Sequence, residues 1–182
     1  MPKKLPYKIL ESKTIHKGHI VTFVKDRFML DAVPGKIVTR ELLLHPGAVV
    51  IIPFVDKNHF ILLRQFRYAA QGPLLEIPAG TLEKGERPLI CAKRELEEET
   101  GHLASRWKFL GKFYAAPGIS NEMMYLYRAD ALKQGVKNLD HDEWIEHEIV
   151  SMPQALRMIR SGKIQDAKTI AAILWTHSFK NG

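Results

Sequence analysis

The sequence predicts an α+β fold, a mixed sheet flanked by helices and preceded by a separate antiparallel sheet. Residues 7–45 alternate apolar and polar side chains in short runs, HIVTFVKDRFML and KIVTRELLL, around the Pro-Gly turn in DAVPGK. That is the period-two pattern of strands joined by turns. Next, AVVIIPFV (48–55) and HFILLRQFRY (59–68) read as two strands joined by the turn DKNH. Finally, Leu89, Ala92, Leu96 and Thr100 recur at spacings of three and four, the buried stripe of an amphipathic helix.

The elements follow in that order. HPG (45–47) punctuates the chain, so residues 1–45 form a first unit and 46–182 a second. A loop, AAQGP, leads to LLEIPAG, and the helical pattern then runs from Glu86 to Thr100 with Gly101 placed to cap it. WKFLGKFYAA and MMYLYRADAL read as strands separated by PGISNE, and one more strand lies within KNLDHDEWIEHEIVS. PQALRMIRSG and DAKTIAAILWTHSF close the chain as two helices, with Pro153 and Asp166 as start signals. Strands around a central helix with helices at the end give the mixed, helix-flanked sheet.

Composition excludes several classes. The 182 residues are 46% hydrophobic and 26% charged, which is ordinary globular composition. One cysteine, Cys91, rules out an internal disulfide and fits a reducing compartment. The N-terminus has no secretory apolar run, and the longest apolar stretch is too short to span a bilayer. The expected location is the cytoplasm, with no membrane partner. An excess of 27 Lys+Arg over 20 Asp+Glu suggests an anionic partner. The cations are scattered rather than blocked, which disfavours a nucleic-acid arm.

Against that basic background, RELEEETG (94–101) concentrates acid. Glu95, Glu98 and Glu99 fall at i, i+3 and i+4, and so share one helix face, while Leu96 points away. Each like-charged pair costs roughly 0.2–0.5 kcal/mol on a bare helix. The acids also sit near the C-terminus, the unfavourable end of the helix dipole. Two readings stand: a solvated face laced by Lys93 and Arg94, or a platform for a divalent cation. Hard oxygen donors without histidine or cysteine suit Mg²⁺ or Mn²⁺ rather than zinc.

The wider register favours the platform. Gly80 is followed after five residues by Glu86, and after seven more by Arg94-Glu95-Leu96-Glu97-Glu98-Glu99-Thr100-Gly101. This resembles the signature of the Nudix hydrolases, G-x5-E-x7-R-E-U-x-E-E-x-G-U, where U is bulky and apolar. His102 stands at the final U, a departure that concerns packing after the helix rather than metal binding. The resemblance implies a Nudix α/β/α sandwich that hydrolyses nucleoside diphosphates linked to another group. It implies Glu95, Glu98 and Glu99 as metal ligands, joined by the Ala79 carbonyl. Glu86 would join Arg94 in holding the loop against the helix. Gly80 and Gly101 would occupy positions needing small residues.

Flanking motifs narrow the branch. LEIPAG (75–80), with Glu76, resembles the E-x-P-A-G lead-in of ADP-ribose and other nucleoside diphosphate sugar pyrophosphatases. RQFR (64–67) resembles their Q-x-R strand, in which Arg67 faces phosphates or sugar. AAPGISNE (115–122) places Pro117, and then Glu122, where the ADP-ribose branch carries them. Alone, each reads equally as a strand end, an edge strand or a turn. The implied substrate is ADP-ribose, with GDP-mannose or another sugar nucleotide as the alternative. An RNA 5′-pyrophosphohydrolase and a non-catalytic ADP-ribose sensor are less favoured. Related enzymes exchange an N-terminal sheet between two subunits, which implies a homodimer. VTREL (38–42) resembles the segment that meets adenine there, giving Arg40 and Glu41. Phe23 or Phe28 would stack on the base, or serve equally as strand core. The general base would come from DHDEWIEHEIVS (140–151), with Glu143 first, Glu146 second, and Asp140, His141 and Asp142 also present. Glu98 or Glu95, acting through metal-bound water, is the other option.

Overall fold

The computed structural model describes residues 6–138 and 144–179. The chain divides into two compact units, one running to Pro46 with Tyr114–Met123 added, the other Gly47–Phe113 with Met124 onward. The first unit is a three-stranded antiparallel sheet in the order β1-β2-β3, from Tyr7–Lys17, Thr22–Leu30 and Ile37–Leu44. Gly35, at φ 80°, permits the turn into β3. The PGISNE segment runs beside β3. The Leu43 amide donates to Ile119 O at 2.8 Å, and the His45 amide to Asn121 Oδ1 at 2.7 Å. Residues 114–123 thus cluster with the N-terminal sheet, although the sequence pattern assigns them to the second unit.

The second unit contains two sheets. One is mixed, in the order β7-β4-β9-β8, from Ala79–Thr81, Ala48–Pro53, Met123–Gln134 and His102–Tyr114. Its centre, β4, runs parallel to β9 and antiparallel to β7. The other sheet is antiparallel, in the order β10-β5-β6, from Ile145–Ser151, His59–Arg67 and Gly72–Glu76. Helices α1 (Pro88–Thr100), α2 (Met152–Arg160) and α3 (Ala167–Ser178) complete the unit. All six residues of β4 are buried, as expected of a strand covered on both faces. Val49 and Ile51 pack with Cys91, Ala92 and Leu96 of α1, whereas Val50 and Ile52 pack with Ala155, Ala172 and Ile173 of α2 and α3. Strand alternation therefore sends successive side chains into opposite cores and produces the α/β/α layering.

Two pairings lie beyond what the sequence pattern states. β4 and β5 do not form a hairpin. They lie in different sheets, linked by a single bridge from Phe54 to Phe60. LLEIPAG is not one element either, because Pro78 interrupts it. Glu76 ends β6 in one sheet and Ala79 begins β7 in the other, while the Pro78 carbonyl accepts from the Ile51 amide at 2.9 Å.

Candidate active site

Helix α1 begins at Pro88, two residues later than the periodicity predicts. Proline is suited to the first helical position because it has no amide hydrogen to leave unsatisfied. Glu86 consequently stays in the loop and meets the helix from outside. Its carboxylate accepts from Arg94 Nε and Nη2, both at 3.2 Å, and from the Glu83 amide at 3.0 Å. The Arg94 hydrogen bonds hold the Glu86 carboxyl below its ordinary pKa despite some desolvation. Arg94 Nη1 also lies 2.7 Å from Glu95 Oε1 and 3.0 Å from Glu98 Oε2. One guanidinium therefore binds two of the acids that make the segment anomalous, together with Glu86 from the loop.

Gly80 is needed for a steric reason. A Cβ at this position would lie 1.9 Å from Glu95 Cδ, so the Glu95 carboxylate occupies the space the glycine leaves. Glu99, only 2% exposed, accepts from the Ala79 amide at 3.1 Å. Cys91 beside them is buried, and desolvation pushes its thiol pKa upward, which makes it core rather than nucleophile. At the C-terminus of α1, Gly101 adopts φ 68° and its amide donates to Glu97 O at 2.8 Å. The remaining carbonyls also find donors. The Asn138 amide reaches Glu98 O at 3.1 Å, the Gly135 amide reaches Gly101 O at 2.8 Å, and His147 Nε2 reaches Glu99 O at 2.9 Å. These donors offset the negative helix end at which the acids sit.

A second charged assembly lies on β5, β6 and the first turn of α3. Arg67 Nε and Nη2 donate to the two oxygens of Glu76 at 2.9 and 2.8 Å. Lys168 Nζ also bonds Glu76 Oε2, and lies 3.0 Å from Asp166 Oδ2. Burial opposes ionisation of Glu76, which is 1% exposed, but the bonds and charges of Arg67 and Lys168 outweigh it and leave its pKa below the ordinary value. Glu76 in turn raises the pKa of Arg67, and Glu99 adds to that electrostatically. Glu76 is three residues from Ala79, whose amide binds Glu99, so the chain itself joins the Arg67 assembly to the acidic helix. The Glu76 carboxylate oxygens are committed to two cations, so Glu76 acts on Arg67 rather than facing outward.

The other predicted residues are distributed as follows. Within the first unit, Phe23 pairs in register with Leu43, and Phe28 packs edge-on against Tyr7 with ring centroids 5.8 Å apart. Arg40 donates to its neighbour Thr39 O at 2.9 Å, and Glu41 lies 3.4 Å from Lys25 Nζ. Glu122 is 3.9 Å from His45 Nε2. In the second unit, Glu146 pairs with Arg64 at 4.0 Å. Strand alternation puts it on the face opposite His147, the neighbour that reaches the acidic helix. Asp140, His141, Asp142 and Glu143 lie outside the described residues. Lys168 and His147 are participants that the sequence did not reveal. Asp166 is recognisable as a helix cap, but Lys168 meets Glu76 across 92 positions of chain, with no local pattern to announce it.

The donor set fits a hard divalent cation in kind: three carboxylates on one helix face beside a backbone turn, with no sulfur ligand. As they stand, no three histidine, cysteine or acidic side chains among the described residues converge on a metal position. The Arg94 contacts to Glu95 and Glu98 and the Ala79 contact to Glu99 account for that arrangement.

Comparison with known proteins places these features in a family setting. The NUDIX domain model matches residues 44–173. An ADP-ribose pyrophosphatase of Bacillus subtilis (strain 168) is 40% identical over 171 residues, 91% of this chain and 92% of the relative. A methanol dehydrogenase activator of Bacillus methanolicus is 35% identical, covering 95% of this chain and 94% of the relative. A GDP-mannose pyrophosphatase of Citrobacter koseri is 33% identical over 72% of this chain and 73% of its own length. A solved structure described as an ADP compounds hydrolase superposes with a TM-score of 0.84 at 23% identity, covering 96% of this chain and 94% of that one. It shares the fold.

Proposed function

Because the chain belongs to the Nudix family, we propose that it hydrolyses the diphosphate of a nucleoside diphosphate sugar. ADP-ribose is the preferred substrate, giving AMP and ribose 5-phosphate. The observation that supports this most directly is that Glu76, which fixes Arg67, stands three residues before Ala79, whose amide holds Glu99 of the acidic helix. A cation beside a carboxylate platform suits a substrate that is itself a polyanion held through metal. The lead-in motifs around the box and the Bacillus subtilis relative named for ADP-ribose support the sugar nucleotide class.

Glu95, Glu98 and Glu99, with the Ala79 carbonyl, would hold the divalent ion, Mg²⁺ first and Mn²⁺ second. Bound there, the ion supplies charge neutralisation at the diphosphate and acidifies water. The protein's own residues do the rest. Arg67 faces the diphosphate and offsets its charge. Glu86 and Arg94 hold the acidic side chains in place. Glu143 takes the proton of the attacking water. Arg40, Glu41, Phe23 and Glu122 contact the nucleoside end. We further place the enzyme in the cytoplasm as a homodimer built through the N-terminal sheet. All eleven residues of β1 are exposed, Ile9, Leu10 and Ile15 among them, which supports a second copy covering them. Among the described residues, no helix is long and apolar enough to cross a membrane.

A panel of ADP-ribose, ADP-glucose, GDP-mannose and UDP-glucose with Mg²⁺ tests the reading. ADP-ribose is expected to give AMP with the highest kcat/KM. The Citrobacter koseri relative named for GDP-mannose supports that sugar nucleotide as the second reading, and a higher kcat/KM for it would replace the first. No phosphomonoester product from any of the four would overturn both.

A further inference from the structure

We propose that Lys168 is a positioning residue for substrate binding, acting on Arg67 through the buried carboxylate of Glu76. The inference rests on the sugar nucleotide reading above and concerns a residue 92 positions from its partner.

The geometry is a chain of alternating charges. Arg67 donates twice to Glu76, Lys168 bonds the Oε2 that Arg67 Nη2 also uses, and Asp166 Oδ2 holds Lys168 at 3.0 Å. Asp166 is itself fixed as the cap of α3. It accepts from the Thr169 amide at 2.9 Å and from the Thr169 hydroxyl at 2.6 Å. The same hydroxyl oxygen accepts from the Ile77 amide at 2.9 Å, one residue beyond Glu76. The first turn of α3 therefore grips the end of β6 by an ionic contact and by a backbone contact.

The degree of burial separates the roles along this chain. The side chains of Glu76 and Lys168 are 2% and 12% exposed, whereas that of Arg67 is 39% exposed. The inner members cannot meet a diphosphate directly, while Arg67 has an open side. The four groups Arg67, Glu76, Lys168 and Asp166 sum to zero charge, so Lys168 acts by holding the Glu76 carboxylate in place rather than by adding net charge. With the Glu76 rotamer fixed, the bidentate fork aims Arg67 in one direction.

Steady-state hydrolysis of ADP-ribose by Lys168→Met, Lys168→Gln, Lys168→Arg and Arg67→Ala, each checked by circular dichroism and thermal melting, tests this. Removing the Lys168 charge should raise KM by about tenfold, the scale of one charge-assisted contact, while kcat stays within about twofold. Lys168→Arg should restore most of the loss, and in an Arg67→Ala background Lys168→Gln should add nothing further. The Gln variant keeps a hydrogen-bond donor at the site and serves if the Met variant melts below the assay temperature. An unchanged KM in a folded variant, or an undiminished effect without Arg67, would overturn the positioning role. Inactivity of the wild-type chain toward every sugar nucleotide would instead overturn the reading on which it rests, so the two failures are distinguishable.

Discussion

At the scale of single residues, Arg94 is where the local electrostatics converge. Its guanidinium spans Glu86, Glu95 and Glu98, so like charges on one helix face are held by one cation rather than left to repel. The acids are therefore already placed, and their carboxylate charge should matter more to chemistry than to folding. Glu98→Gln is expected to retain the fold, by circular dichroism, and to lose on the order of a hundredfold or more in kcat. Near-normal turnover with Mg²⁺ present would remove Glu98 from the metal site. Gly80 makes the converse case. A methyl group there meets Glu95 Cδ at 1.9 Å, so Gly80→Ala should displace Glu95 and weaken binding of Mn²⁺, read by paramagnetic relaxation of water. Unaltered Mn²⁺ affinity in a folded Gly80→Ala protein would show that Glu95 is not a ligand.

At the scale of elements, α1 is held to β4 by Cys91, Ala92 and Leu96, all with no exposed surface. Leu96→Ala should cost about 2–5 kcal/mol of stability, measured by urea denaturation, because it removes a fully buried side chain from the layer between strand and helix. The helix was legible in the sequence because its spacing, its glycine cap and its acids all fall within 22 consecutive positions. Its first turn was misplaced because the period was carried back past Pro88, which marks the first helical position and leaves Glu86 in the loop to bond Arg94. The assignment of β4 and β5 to separate sheets was not legible, since a strand's pattern does not name its partner. The same limit applies to PGISNE, whose backbone bonds to β3 lie more than seventy positions away.

At the scale of the molecule, buried charge links stability to pH. Glu76 and Glu86 both have pKa values below their ordinary 4.5. The folded state binds protons less readily than the unfolded one, so their contribution is fully present above that value and is lost as pH falls through the depressed pKa values. Burial lowers the pKa of His147 below 6.5, and its contribution likewise declines on acidification below that value. The Tm gap between wild type and Glu76→Gln should be widest near neutrality and shrink toward pH 3. A gap independent of pH would show that the Glu76 carboxylate is not the stabilising species. Only Ile77 and Pro78 separate the carboxylate that aims Arg67 from the amide that holds Glu99. On the proposed reading, this stretch is a ruler between the group that would meet phosphate and the group that would meet metal, and its length is counted in residues. One inserted residue would reverse which side chain faces inward and misalign both ends at once. Such a ruler would measure only the diphosphate, which every sugar nucleotide shares, so under the proposed function discrimination between one sugar and another has to be written elsewhere in the chain.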